Sequence, residues 1–186
     1  MSRARAVPYE FGGTQVQPGE GARIELPMAR LYTSNEMTLP VQVVHGKRPG
    51  PVMFVSAAVH GDEINGVEII RRLLTGKALA NLRGTLLAVP VVNPFGFIQR
   101  ARYLPDRRDL NRSFPGTAKG SLAGRLAHLF MNEIASRCDY GIDLHTGSNF
   151  RSNLPQIRSS IDDPKTVELA SVFGAPIVVP SELREG

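Results

Sequence analysis

Two continuous apolar runs constrain the fold of this chain more than any other feature. "PVMFVSAAV" (51–59) and "GTLLAVPVV" (84–92) lack the polar alternation of a half-exposed strand. Such runs are what strands covered on both faces look like. Between them, "NGVEIIRRLLTG" repeats apolar residues at helical spacing. Val67, Ile70, Leu73 and Leu74 share one face, and Gly76 is a stop signal. "SLAGRLAHLFMNEIAS" predicts a second amphipathic helix, with Leu122, Leu126, Leu129, Phe130 and Ile134 in register. "CDYGIDLHTGS" reads as a strand ending at a turn, and "LPQIRSS", "DPKTVELASVFG" and "APIVVP" as strand, helix and strand. Strands alternating with helices predict an α/β fold with a mixed, largely parallel sheet flanked by helices.

The first fifty residues (1–50) read as a β-rich segment of the same domain. "ARIELPMARLY" and "TLPVQVVHG" are its strands, interrupted at Pro27 and Pro40. "GKRPGP" reads as a turn between strands, which puts His45 at a hairpin turn. The stretch "NPFGFIQRARYLPDRRDLNRSFPG" shows no steady period and predicts a long polar loop. Loops of that length in compact domains are usually functional.

With 186 residues, 42% of them hydrophobic, the chain is long enough for one domain with a real core, residues 1–186. The net charge of +5 comes from 22 basic and 17 acidic residues. The basic residues are scattered, with little aromatic interleaving, so no nucleic-acid partner is expected. Arg71-Arg72 and Arg107-Arg108 are the adjacent pairs of note. Cys138 is the only cysteine, which excludes an internal disulfide and fits a cytoplasmic location. "MSRARAVPYEF" has no apolar stretch behind its arginines, and no segment is long enough to span a membrane.

In open α/β sheets, ligands bind beyond the carboxyl ends of the strands. Three polar clusters fall at such ends: "HGDE" (60–63), "NP" with its long loop, and "DLHTGS" (143–148). His60 and Glu63 stand at i and i+3 entering a helix, so both can face one point. Zinc accepts imidazole nitrogen and carboxylate oxygen, and catalytic sites take three protein ligands. Of the other histidines, His45 sits at a turn and His128 inside a helix. His145, ending an apolar strand, is the best third ligand. Asp143 points to the same face two residues earlier and suits the orienting of a ligand. A second reading stays open, in which Asp62 and Glu63 merely favour the helix dipole.

In the loop, Asn111 and Arg112 can clasp a carboxylate. Arg102 can stabilise a developing oxyanion. A solvated basic loop is the alternative.

"HGDE", "NPFGF", "RDLNRSFPG" and "DLHTG", in this order, resemble the succinylglutamate desuccinylase/aspartoacylase family, which looks like a branch of the zinc carboxypeptidases. The resemblance runs from about Pro51 to Gly147 and more loosely to the end. It implies a three-layer sandwich around a mixed sheet, and one zinc ion per chain held by His60, Glu63 and His145. It implies Asn111 and Arg112 as the pair for the substrate carboxylate and Arg102 as the residue that polarises the scissile carbonyl, with Arg100 as its alternate. The implied activity is hydrolysis of an N-acyl amino acid by zinc-activated water.

The resemblance also demands a general-base glutamate on a later strand. Glu182 and Glu185 stand in a polar tail, and Glu133 and Glu168 in helices, so none is assigned. The expectation is therefore an N-terminal portion of a longer architecture, truncated at its C-terminus, with weak or absent activity alone. The exposed strand edge of an incomplete sheet invites homodimerisation. A zinc carboxypeptidase acting on peptides and a non-catalytic metal- or anion-binding fragment are the rival readings.

Overall fold

The structure, a computed structural model, describes residues 4–30, 33–149 and 151–181. Glu182 and Glu185 lie outside the described residues. The chain divides into two compact units, Met1–Asn149 and Phe150–Gly186.

In the first unit a short hairpin, β1 (Tyr9–Phe11) and β2 (Thr14–Val16), precedes a five-stranded sheet. Its strands are β3 (Gly21–Arg30), β4 (Glu36–His45), β5 (Arg48–Ala57), β6 (Arg83–Val89) and β7 (Tyr140–Leu144). Their order is β3-β4-β6-β5-β7. The pairs β3–β4 and β4–β6 are antiparallel, while β5 runs parallel to both β6 and β7. Helix α1 (Asn65–Thr75) connects β5 to β6. Helices α2 (Pro94–Gln99) and α3 (Leu122–Glu133), with 3-10 turns at Leu110–Arg112 and Ala135–Arg137, connect β6 to β7.

The apolar runs form β5 and β6, and both faces of these strands are covered. Val55, Ala57, Leu86 and Ala88 pack with Ile70 of α1. Leu87 and Val89, from the opposite face of β6, pack with Leu126 and Phe130 of α3. Alternate residues therefore enter different cores, and a continuous apolar run is what both cores require. Gly66 lets α1 lie close to the sheet: a Cβ there would meet the Cβ atoms of Ala57 and Leu144 at 2.7 and 2.8 Å. Helix α3 starts at Ser121, whose side chain accepts a hydrogen bond from the Gly124 amide.

Three readings of the sequence are corrected. Pro27 and Pro40 do not interrupt β3 and β4, which each run for ten residues. Pro27 lies on the sheet-edge strand, beside a register shift, and Pro40 in the half of β4 that pairs only with β3. At both places the ladder tolerates a residue without an N–H. His45 is not at a hairpin turn. It ends β4, and β6 lies between β4 and β5, so these consecutive strands do not pair. The long loop is not structureless either. Asn93-Pro94 starts α2, with Asn93 as N-cap and Pro94 in the first turn.

In the second unit β8 (Gln156–Ser159) and β9 (Ile177–Pro180) pair in parallel, with α4 (Pro164–Phe173) between them. Asp163 caps the start of α4 and Gly174, at φ +75°, ends it. No helix among the described residues is long and apolar enough to cross a membrane.

Candidate metal centre

The parallel pairing of β5 with β7 brings two distant segments together. Ala57 is opposite Leu144, so His145 leaves β7 beside the turn that carries His60 and Glu63. Beyond the end of β6, the amides of Val92 and Asn93 donate to the carbonyls of Ala57 and Ala58 at 3.0 Å. These bonds set Asn93 and α2 against the same turn. Gly61 makes the approach feasible, because a Cβ there would lie 1.9 Å from the Gly96 carbonyl carbon. The Gly61 amide donates to the Ala101 carbonyl at 3.1 Å, which delivers the next residue, Arg102, to the cluster.

Glu63 is the hub. Its Oε1 lies 2.7 Å from His60 Nδ1, and its Oε2 lies 3.0 Å from His145 Nδ1. The Thr146 amide donates to Oε2 and the Ser148 hydroxyl to Oε1, each at 2.7 Å. Glu63 therefore faces two imidazoles and a neighbouring strand end, rather than merely lying at the start of α1. His60 and Glu63 are each 2% exposed. Burial alone would raise the Glu63 carboxyl. The bonds to His145, His60, Ser148 and Thr146 outweigh it and hold the group far below the usual carboxylate range.

The outer nitrogen of each histidine also meets a carboxylate. His145 Nε2 lies 2.5 Å from Asp143 Oδ2, and the Ser56 hydroxyl donates to Asp143 Oδ1 at 2.8 Å. His60 Nε2 lies 3.1 Å from Asp109 Oδ1. Burial works against a charged His145, but the bonds to Asp143 and Glu63 prevail and push it up to about 10. The two imidazole rings are 5.0 Å apart. One ring nitrogen from each of His60 and His145 and a Glu63 oxygen provide three potential ligand atoms within 4.8 Å of one another. Two imidazole nitrogens and a carboxylate oxygen form a donor set that zinc accepts.

Arg102 adjoins this group. Its Nε and Nη2 donate to Asp109 Oδ2 at 3.1 and 2.9 Å, and its Nη1 donates to Ser148 Oγ at 2.6 Å. Burial would raise Asp109, but Arg102 and His60 together hold it below the ordinary range. Asp109 also accepts from the Asn111 amide at 2.9 Å, which shapes the 3-10 turn. Asn111 and Arg112 are exposed on that turn, and Arg112 donates to the Asn111 carbonyl at 3.2 Å. Their side chains make no hydrogen bond to the His60–Glu63–His145 group among the described residues. Arg100 is an exposed residue with left-handed backbone at the end of α2. His128 bonds Asn132 on its own helix.

Sequence reasoning missed Asp109 and Ser148. Asp109 could have been noticed as the acid two residues before Asn111, of the kind that caps a turn. Ser148, three residues after His145, carries no comparable signal. Among the described residues, no glutamate besides Glu63 bonds to this cluster.

The fold and its strand-end cluster define an α/β protein with a candidate metal centre. Residues 49–186 match the model of the succinylglutamate desuccinylase/aspartoacylase catalytic domain, and the chain belongs to this family of deacylases. It is 30% identical over 147 residues to the N-alpha-acetyl-L-2,4-diaminobutyric acid deacetylase of Halomonas elongata, covering 76% of this chain and 43% of that protein. It is also similar to the solved succinylglutamate desuccinylase/aspartoacylase from Rhodobacter sphaeroides, at 28% identity and a TM-score of 0.76, covering 87% of this chain and 51% of that one. A metallo-carboxypeptidase from Burkholderia cenocepacia shares the fold, with a TM-score of 0.58 at 18% identity, covering 76% of this chain and 40% of that one. The chain thus spans about half the length of these relatives, or less.

Proposed function

We propose that this chain carries the one-zinc site of an amide hydrolase acting on N-acyl amino acids. His60 and His145, through their Nδ1 atoms, and Glu63 would hold the ion. The observation that carries the reading is the convergence of these three ligand atoms within 4.8 Å, one from each residue. When bound there, zinc supplies a Lewis acid and a water of lowered pKa.

The remaining roles belong to the chain's own side chains. Asp143 and Asp109 fix the imidazoles of His145 and His60 through their outer nitrogens, which sets ring orientation. Arg102, anchored on Asp109, offers its guanidinium to a substrate carbonyl as negative charge develops on the oxygen. Asn111 and Arg112, on the exposed turn beside it, bind the carboxylate of the amino-acid half of the substrate. The proton-transferring glutamate has no assignment among the described residues. The single cysteine fits work in the reducing cytoplasm.

Elemental analysis after purification and zinc addition tests the site. The expected result is one zinc per chain, and none in His60→Ala. Amine release from N-acetyl and N-succinyl amino acids tests the activity. Zinc binding that persists in His60→Ala and in His145→Ala would overturn the assignment.

A further inference from the structure

Arg102 and Glu63 form a long ion pair with no direct hydrogen bond. Arg102 Nη1 lies 3.7 Å from Glu63 Oε1, whereas charge-assisted bonds between such groups close to about 2.7–2.9 Å. The Ser148 hydroxyl occupies the gap. It accepts from Arg102 Nη1 at 2.6 Å and donates its own proton to Glu63 Oε1 at 2.7 Å. Ser148 is 7% exposed, so water competes little for either bond.

The hydroxyl is held in place from both sides. The Thr146 amide is bonded to Glu63, and the Asn149 amide donates to Asp62 Oδ2 at 2.9 Å. Two successive acids beyond β5 therefore clasp the loop that follows β7. Asn149 turns with left-handed backbone, at φ +59°, to complete the clasp. Asp109 holds the far edge of the Arg102 guanidinium, while Nη1, besides donating to Ser148, lies 3.4 Å from His60 Nδ1.

We propose that Ser148 is a positioning residue that insulates the metal-facing carboxylate of Glu63 from the Arg102 cation. The inference rests on the zinc reading above. A direct Arg102–Glu63 pair would set a fixed positive charge in competition with the ion for the same oxygen. The hydroxyl takes the place of that direct pair, because it gives Glu63 a neutral donor and gives Arg102 a neutral acceptor.

The test is a cycle of variants of the full chain, read by zinc affinity in competition with a chromophoric chelator. Ser148→Ala is expected to weaken zinc binding about tenfold, the range in which partners of metal ligands act. Ser148→Thr keeps the hydroxyl and should stay near the unsubstituted chain. The decisive variant is Ser148→Ala with Arg102→Gln. Removing the cation should restore affinity to within about twofold of Arg102→Gln alone, since the loss runs through that one pair. A loss that persists in the double variant would mean a structural role and overturn the proposal, as would unchanged affinity in Ser148→Ala.

A second measurement needs no metal. Dicarbonyl labelling of Arg102 in the metal-free chain, followed by mass spectrometry, should slow in Ser148→Ala as the guanidinium closes on Glu63. It should recover when Glu63→Gln is added. Absent zinc binding by the unsubstituted chain would overturn the metal reading, whereas unchanged labelling in Ser148→Ala would overturn the insulation itself.

Discussion

His45 and His60 are both buried, at 6% and 2% exposure, and lie at opposite ends of the same sheet. His45 ends β4 opposite Thr85, near the start of β6, while His60 lies past the carboxyl end of β5. His45 meets neutral groups: the Thr85 hydroxyl at 2.9 Å and the Val7 carbonyl at 2.8 Å. His60 meets Glu63 and Asp109, and a second imidazole lies beside it. Burial is shared, so burial does not distinguish a binding histidine from a structural one. The partners do. Neutral hydrogen bonds satisfy His45, whereas a carboxylate stands at each nitrogen of His60, as the proposed cation site would require.

The largest test of that contrast is metal binding itself. His60→Ala should lose zinc by at least about a hundredfold, as one of three ligands is removed. His45→Gln should bind zinc as the unsubstituted chain does. Equal losses in the two variants, by chelator competition, would erase the distinction.

Next comes pH. In the metal-free chain, Asp143 and Glu63 hold the proton on His145 up to about pH 10. An ion must displace that proton, so its affinity should rise with pH, by up to about tenfold per unit between pH 6 and 9. A flat profile, by the same competition assay, would show that His145 is not a ligand.

A smaller effect is expected from Asp143→Asn. Loss of the carboxylate behind His145 should weaken zinc about tenfold while leaving folding intact. An unchanged affinity would reduce Asp143 to a surface acid.

The smallest effect belongs to the other end of the sheet. His45→Ala leaves Thr85 and the Val7 carbonyl short of a partner and should cost about 1–3 kcal/mol in urea unfolding. Zinc affinity should stay unchanged. A stable variant with impaired zinc binding would couple the two ends and break the comparison.

Much of this molecule is local and therefore legible. Runs such as 51–59 and 84–92 announce buried strands because each residue's burial is written in its own side chain. Helix α1 is announced by the spacing of Val67, Ile70, Leu73 and Leu74. His60, Glu63 and His145 could be singled out because strand ends with polar turns are local signals too. Asn93-Pro94 is equally legible as a helix start, but the six residues of α2 are too few to show a period.

The remaining features depend on strand pairing. The strand order puts β6 between β4 and β5, which removes the hairpin that local sequence suggested at His45. Pro27 and Pro40 sit inside strands because their missing N–H groups face no partner, a fact of sheet position and not of residue type. Asp109 and Ser148 reach His60 and Glu63 across 49 and 85 positions of chain. No local pattern encodes such contacts. They exist because β5 pairs in parallel with both neighbours, so three strand ends open onto one point. Residue type and spacing alone single out the candidates for binding a cation. The pairing determined which acid orients each imidazole and which hydroxyl stands between Arg102 and Glu63, since hydrogen bonds depend on distance in space and not on distance along the chain.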